Sequence, residues 1–209
     1  MEQATDRRDQ ILQYLQPHME ECFQRSCNLL QAEIKHHANV IWERLRNCIY
    51  ECLKQADILQ KQQKKGKLQY LVFSFMQYGI YLDNLEIRVD ALDDSFYLDE
   101  QESEEYYHPA FLQERYIEDL DYLQKKAGEK YIRLQNYERM DIKKEYVHYY
   151  QSILFRMIES LTPMIMESIA DSGVLMADGF KIIFGEYMDN AVVLYGEKYE
   201  DEIFSDRNG

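Results

Sequence analysis

Most of the chain carries apolar residues at helical spacing. Residues 5–62 keep one apolar stripe, interrupted only by Pro17. A single helix of that length would be roughly 85 Å long at about 1.5 Å per residue. A compact chain of this size has a radius of gyration of only about 17 Å. We therefore predict that residues 1–62 fold back near Lys35–Asn39 into an antiparallel helix pair.

The segment from Leu68 to Leu82 is the most apolar and aromatic run in the chain. A strand is one interpretation, because Val, Phe and Tyr favour strands and periodicity does not separate a buried strand from a buried helix. The length of the run favours a buried helix, with Phe75 in the core. Five residues share the spacing of one helical face: Leu68, Leu71, Val72, Phe75 and Met76.

The pattern changes to strict alternation after this run, which predicts a strand with one face in the core. Asp93-Asp94-Ser95 then provides turn-forming side chains, and Phe96–Leu98 is predicted to return as a second strand. Residues 67–99 are thus expected to form a buried helix followed by an acidic hairpin at Leu85–Leu98. The apolar positions of the alternation are Leu85, Ile87, Val89 and Ala91.

Residues 109–200 are predicted to supply the C-terminal helices. One runs from Pro109 to about Lys126 and another from Asp141 to about Ala170, each with an apolar stripe. Helical spacing continues from Phe180 to Tyr195, and we expect a further helix there. The β-branched residues of that segment also permit a hairpin that turns at Asp189-Asn190.

Composition supports a helical chain, because the 209 residues include only 8 Gly and 3 Pro. The fold class we predict is mainly α: a bundle of about six helices with one small β-hairpin. Residues 1–209 are expected to form a single domain.

Cysteine usage and the N-terminal sequence predict a cytoplasmic protein. The start, MEQATDRRDQ, has no apolar leader segment. The longest apolar run contains Ser74 and Gln77 and is too short for a membrane span. The four cysteines are expected to be reduced thiols. A zinc site would require the helix carrying Cys48 and Cys52 to lie beside the one carrying Cys22 and Cys27.

The formal net charge is −14, which argues against direct binding to nucleic acid or to an anionic membrane. The acidity is concentrated between Asp83 and Glu105, where ten acids accompany one base, Arg88. Because so few bases lie nearby in sequence, we expect these acids to bind a basic protein surface, with nucleic-acid mimicry by an inhibitor as one concrete form. The predicted partner-binding residues are Asp93, Asp94, Asp99, Glu100, Glu102, Glu104 and Glu105.

An interaction protein of this kind needs no cofactor, and the alternative is an enzyme that uses a transition metal. Glu33 and His37 lie four residues apart within the apolar stripe, where a polar pair needs a partner. Carboxylate and imidazole groups inside a helical bundle are typical metal ligands. A separate possibility is a di-metal site that uses two Glu-x-x-His pairs, with Glu114 or Glu118 as a further bridging carboxylate. Three such pairs occur in the chain: Glu33/His36, Glu105/His108 and Glu145/His148. The chain has no Gly-rich phosphate loop and no nucleophile motif.

Overall fold

A computed structural model describes residues 6–196 of the chain. Of these residues, 63% are helical and 18% lie in strands. The elements, in chain order, are α1 (Arg7–Lys61), β1 (Leu68–Phe75), α2 (Tyr78–Tyr81), β2 (Ile87–Leu92), a 3₁₀ turn (Phe96–Leu98), β3 (Glu104–Tyr107), α3 (Ala110–Lys130), α4 (Asn136–Ser172), β4 (Met176–Glu186) and β5 (Ala191–Tyr195).

The five strands form one mixed sheet in the order β3-β2-β1-β4-β5. β1 and β4 are parallel neighbours, and the other adjacent pairs are antiparallel. The main hydrophobic core joins one face of this sheet to α1, α3 and α4. The predicted mainly α bundle of six helices is therefore wrong, and the fold is α/β.

The helix predicted over Leu68–Leu82 is wrong because its first half is β1, at the centre of the sheet. Phe73 and Phe75 belong to the main core, whereas Val72 belongs to a smaller cluster on the other face. A strand covered on both faces is apolar at successive positions. The sequence of β1 therefore matches the helical spacing by coincidence. The predicted burial of Phe75 is confirmed.

The predicted antiparallel pair in residues 1–62 is also wrong, because Arg7–Lys61 is one helix. His37 has non-helical torsion angles (φ −119°, ψ 15°), so the predicted reversal at Lys35–Asn39 is a kink. The buried stripe of α1 stops at Leu30 and resumes at Leu45. The comparison of helix length with the radius of gyration assumed a molecule of equal dimensions in all directions. A fold that contains a helix of this length can be elongated instead.

The acidic hairpin is partly as predicted. β2 has the expected alternation, and Ile87, Val89 and Ala91 enter the main core. The predicted second strand at Phe96–Leu98 is wrong, since that segment is a 3₁₀ turn and the returning strand is β3. Phe96 contacts the ring of Tyr70 on the outer face of the sheet, with ring centroids 4.8 Å apart. This aromatic contact replaces strand pairing.

The C-terminal half contains two predicted helices and one hairpin. The helices predicted from Pro109 and from Asp141 are confirmed as α3 and α4, although α4 begins five residues earlier than predicted, at Asn136. The helix over Phe180–Tyr195 is wrong, and the alternative hairpin is confirmed as β4 and β5. Gly173, with φ 78°, follows α4 and supplies the left-handed residue that ends many helices. Among residues 6–196, no helix is both long and apolar enough to cross a membrane.

Candidate functional site

The candidate site is the acidic segment, defined as residues 93–105, which connects β2 to β3 and includes the start of β3. Its first turn is held by Asp93, whose carboxylate accepts hydrogen bonds from the backbone N–H groups of Gly66 and Ser95, each at 2.9 Å. Burial acts to raise the pKa of Asp93, but these two N–H donors, the Ser95 hydroxyl and the Lys65 charge together lower it. Asp93 is therefore an anchor for the segment.

A buried ion pair holds the middle of the acidic segment. The Lys65 ammonium pairs with the Asp99 carboxylate and also donates to the Gln101 carbonyl oxygen at 2.8 Å. The side chains of Lys65 and Asp99 are 0% and 3% exposed. This pair joins the segment to the connector after α1, and it removes Asp99 from the surface available to a partner.

Arg88 pairs with two carboxylates on the outer face of the sheet. Its guanidinium lies 2.8 Å from Asp90 Oδ1, contacts Glu104, and stacks over the Tyr187 ring at 5.0 Å. Burial raises the pKa of Asp90 against the opposing effect of Arg88. Burial also raises the pKa of Glu104, with Glu102 and Asp90 adding to it against Arg88. The negative charges of Glu102 and Asp90 thus add to burial in raising the pKa of Glu104.

The seven predicted partner-binding residues separate into two groups. Four are engaged internally: Asp93, Asp99 and Glu104 as above, and Glu105 by a hydrogen bond of 2.9 Å from Gln55 Nε2. The other three are exposed and form no ion pair with any residue from 6 to 196: Asp94, Glu100 and Glu102. The expectation that the acids lack basic partners is thus wrong for Asp99 and Glu104.

Sequence reasoning missed Lys65 because nothing local connects it with a residue 34 positions away. Arg88 had a detectable signal. It is the one base in an acidic window, on a strand where Asp90 is its same-face neighbour two residues on. An arginine next to an acid on the same face of a strand is expected to form ion pairs within the sheet.

The predicted Glu33 and His37 line a cavity of about 340 Å³ beside the kink in α1. The structure also brings His108 and Glu114 to this cavity. His108 is directed to another partner, because its Nδ1 lies 2.9 Å from Glu86 Oε2. Within residues 6–196, no group of three or more His, Cys, Asp or Glu side chains could hold a metal ion. The transition-metal alternative stays a prediction, and the described residues give it no ligand set.

The cysteines occupy two separate parts of α1 and are free thiols. Cys27 and Cys48 are separated by roughly 30 Å along the helix at about 1.5 Å per residue. A zinc site that uses all four thiols would require two helices side by side. Because α1 is one continuous helix, it keeps the two pairs of cysteines apart and rules out such a site. Burial raises the pKa of the Cys48 thiol to about 12, which makes it unreactive at neutral pH.

A second buried carboxylate, Asp119 on α3, connects three helices. Its Oδ2 accepts hydrogen bonds from Ser26 Oγ at 2.7 Å, from the Tyr146 hydroxyl at 2.7 Å and from the Tyr150 hydroxyl at 2.9 Å. Its Oδ1 accepts one from Arg25 Nη2 at 2.9 Å. Both oxygens of Asp119 therefore accept hydrogen bonds from other side chains, which is typical of a structural carboxylate.

Comparison with protein-family models, curated protein sequences and solved structures found no significant match to this chain.

Proposed function

We propose that this chain is a cytoplasmic, non-enzymatic interaction protein that binds a basic partner through the exposed carboxylates of the acidic segment. The observation that supports it is the arrangement of Asp94, Glu100 and Glu102. All three are exposed and without ion pairs among residues 6–196, on a backbone that buried contacts hold in place. A partner that binds a preorganised array does not have to order it first.

The charge of the whole chain favours the same class of partner. At −14, it attracts basic surfaces over long range and repels nucleic acid phosphates and anionic lipids. A nucleic-acid-binding protein is one concrete partner, because carboxylates on a fixed loop can occupy sites that otherwise hold phosphates. In that form, this chain would compete with nucleic acid as an inhibitor.

The test is a variant that neutralises only the exposed acids: Asp94→Asn, Glu100→Gln and Glu102→Gln together. The wild-type chain is expected to recover a basic partner from cell extract at low salt and to lose it as salt increases. This follows because attraction between exposed charges is screened over about 8 Å at physiological ionic strength. The variant should recover much less partner at low salt and should show a flatter salt dependence.

The matched control removes the same charge from α4: Glu145→Gln, Glu167→Gln and Asp171→Asn together. These three carboxylates are exposed and have no ion pair within residues 6–196. The control is expected to bind like the wild type if the acidic segment is the contact surface. Equal losses in both variants would assign binding to net charge alone. Unchanged recovery by the first variant at every salt concentration would contradict the proposal.

A further inference from the structure

A cavity of about 280 Å³ lies where β1 and β4 end. These strands are parallel neighbours, so their carboxyl ends meet at one edge of the sheet, where Phe75 and Glu186 line the cavity. Sheets with parallel strands commonly bind ligands outside their carboxyl ends. α2 and α4 complete the wall, with Ile80 from the first and Lys144 and His148 from the second.

The cavity is lined by one cation, Lys144, and one anion, Glu186. Among residues 6–196, neither the Lys144 ammonium nor the Glu186 carboxylate has an ion-pair partner. The neighbouring Lys143 is different, because its Nζ lies 2.6 Å from Asp83 Oδ1. In a chain of net charge −14, a ligand carrying only negative charge is disfavoured, and Lys144 disfavours a cation. A ligand with one charge of each sign and no net charge matches both groups.

His148 lies one helical turn after Lys144, on the same face of α4. Its Nδ1 lies 2.8 Å from Gln151 Oε1. A carboxamide oxygen can only accept, so Nδ1 is the donor in this contact, and in the neutral ring Nε2 is left as an acceptor for a donor group of a ligand. Lys144 therefore suits a carboxylate, whereas His148 suits an N–H group.

The apolar part of the cavity consists of Phe75 and Ile80. Phe75 is fixed by an edge-to-face contact with Phe184, with ring centroids 5.2 Å apart. Small-molecule pockets span roughly 300–1,000 Å³, so this volume favours a small metabolite over a nucleotide.

We propose that this cavity binds a free α-amino acid with an apolar side chain. The ligand carboxylate contacts Lys144, its ammonium group contacts Glu186 and Nε2 of His148, and its side chain packs against Phe75 and Ile80. The cavity shares no residue with the acidic segment, so this inference is independent of the proposed function.

Isothermal titration of the full chain with L-leucine tests the proposal. The expected dissociation constant is about 1 mM or lower. Isocaproate, which lacks the amino group, and isopentylamine, which lacks the carboxylate, should each bind at least about tenfold more weakly. The proposal is overturned if neither leucine nor phenylalanine binds at about 10 mM, or if either half-analogue binds as tightly as leucine.

Two substitutions locate the site. Lys144→Met and Glu186→Gln are each expected to weaken leucine binding by at least about tenfold. The controls, Lys125→Met and Glu167→Gln, remove exposed charges outside the cavity and should bind like the wild type. Thermal melting confirms that each variant is folded. Wild-type affinity in both cavity variants overturns the proposal.

Discussion

Among single residues, Asp119 illustrates how a buried polar group stabilises this fold. Asp119 is 1% exposed and accepts hydrogen bonds from side chains of α1 and α4. Burial first, and then the Asp119 carboxylate, raise the pKa of Tyr146, so this tyrosine stays a hydrogen-bond donor at neutral pH. Removing the carboxylate would leave several buried hydroxyl groups without an acceptor.

We expect Asp119→Asn to destabilise the fold by at least about 3 kcal/mol, because an amide cannot accept the same set of hydrogen bonds and leaves buried donors unpaired. Urea denaturation followed by circular dichroism measures the change. Asp121→Asn is the control, since Asp121 is exposed on the same helix. A free energy of unfolding for Asp119→Asn within about 0.5 kcal/mol of the wild type would show that the network is dispensable.

At the scale of residues, the sequence could predict only part of the acidic segment. The clustering of acids in this segment could be identified from sequence. The internal role of Asp99 could not, because it depends on Lys65, which the fold brings close from a distant part of the chain. A charge count in a sequence window contains no information about such partners.

At the scale of elements, β2 was predictable and β1 was not, for one physical reason. β2 alternates because the residues between its apolar positions, such as Arg88 and Asp90, pair with other polar groups on the outer face. β1 is covered on both faces, so the period of two disappears from its sequence. The long α1 was unpredictable for another reason, since only packing decides whether a helical pattern continues or reverses.

We expect Phe75→Ala in β1 to cost about 3–5 kcal/mol, as for other buried phenylalanines. Phe75 is 7% exposed and packs against Phe184 of the parallel neighbour strand. Leu98→Ala provides the contrast, because Leu98 is 85% exposed and should tolerate truncation. Chemical denaturation of both variants checks the prediction, and equal stabilities for Phe75→Ala and the wild type would refute it.

At the scale of the whole molecule, tyrosine burial links stability to pH. The chain has 18 tyrosines. Burial raises the pKa of Tyr107 to about 12. A hydrogen bond to Glu86, then burial, raises the pKa of Tyr78 to about 12. Burial also raises the pKa of Tyr116, Tyr146 and Tyr150. In the unfolded chain, by contrast, tyrosine titrates near pH 10.

An acid whose pKa is raised in the folded state holds its proton more tightly there than in the unfolded chain. The stabilisation from these tyrosines is therefore fully present below about pH 10, which is the pKa of tyrosine in the unfolded chain. This stabilisation is lost as pH rises above that value. We predict cooperative alkaline unfolding between about pH 10 and 12. Absorbance of tyrosinate and circular dichroism should change together over this range. Complete ionisation of all tyrosines while the helical signal persists would contradict the prediction.

The parallel pairing of β1 with β4 also determines the order in which the chain can fold. Phe75 pairs with Glu186, so the two central strands are separated by more than a hundred residues of chain. Contacts between such distant segments form slowly, because a large loop must close first. During synthesis, β1 emerges well before β4 and exposes an unpaired edge until the last strands follow. Chaperone dependence during translation is therefore expected to concentrate on this one strand.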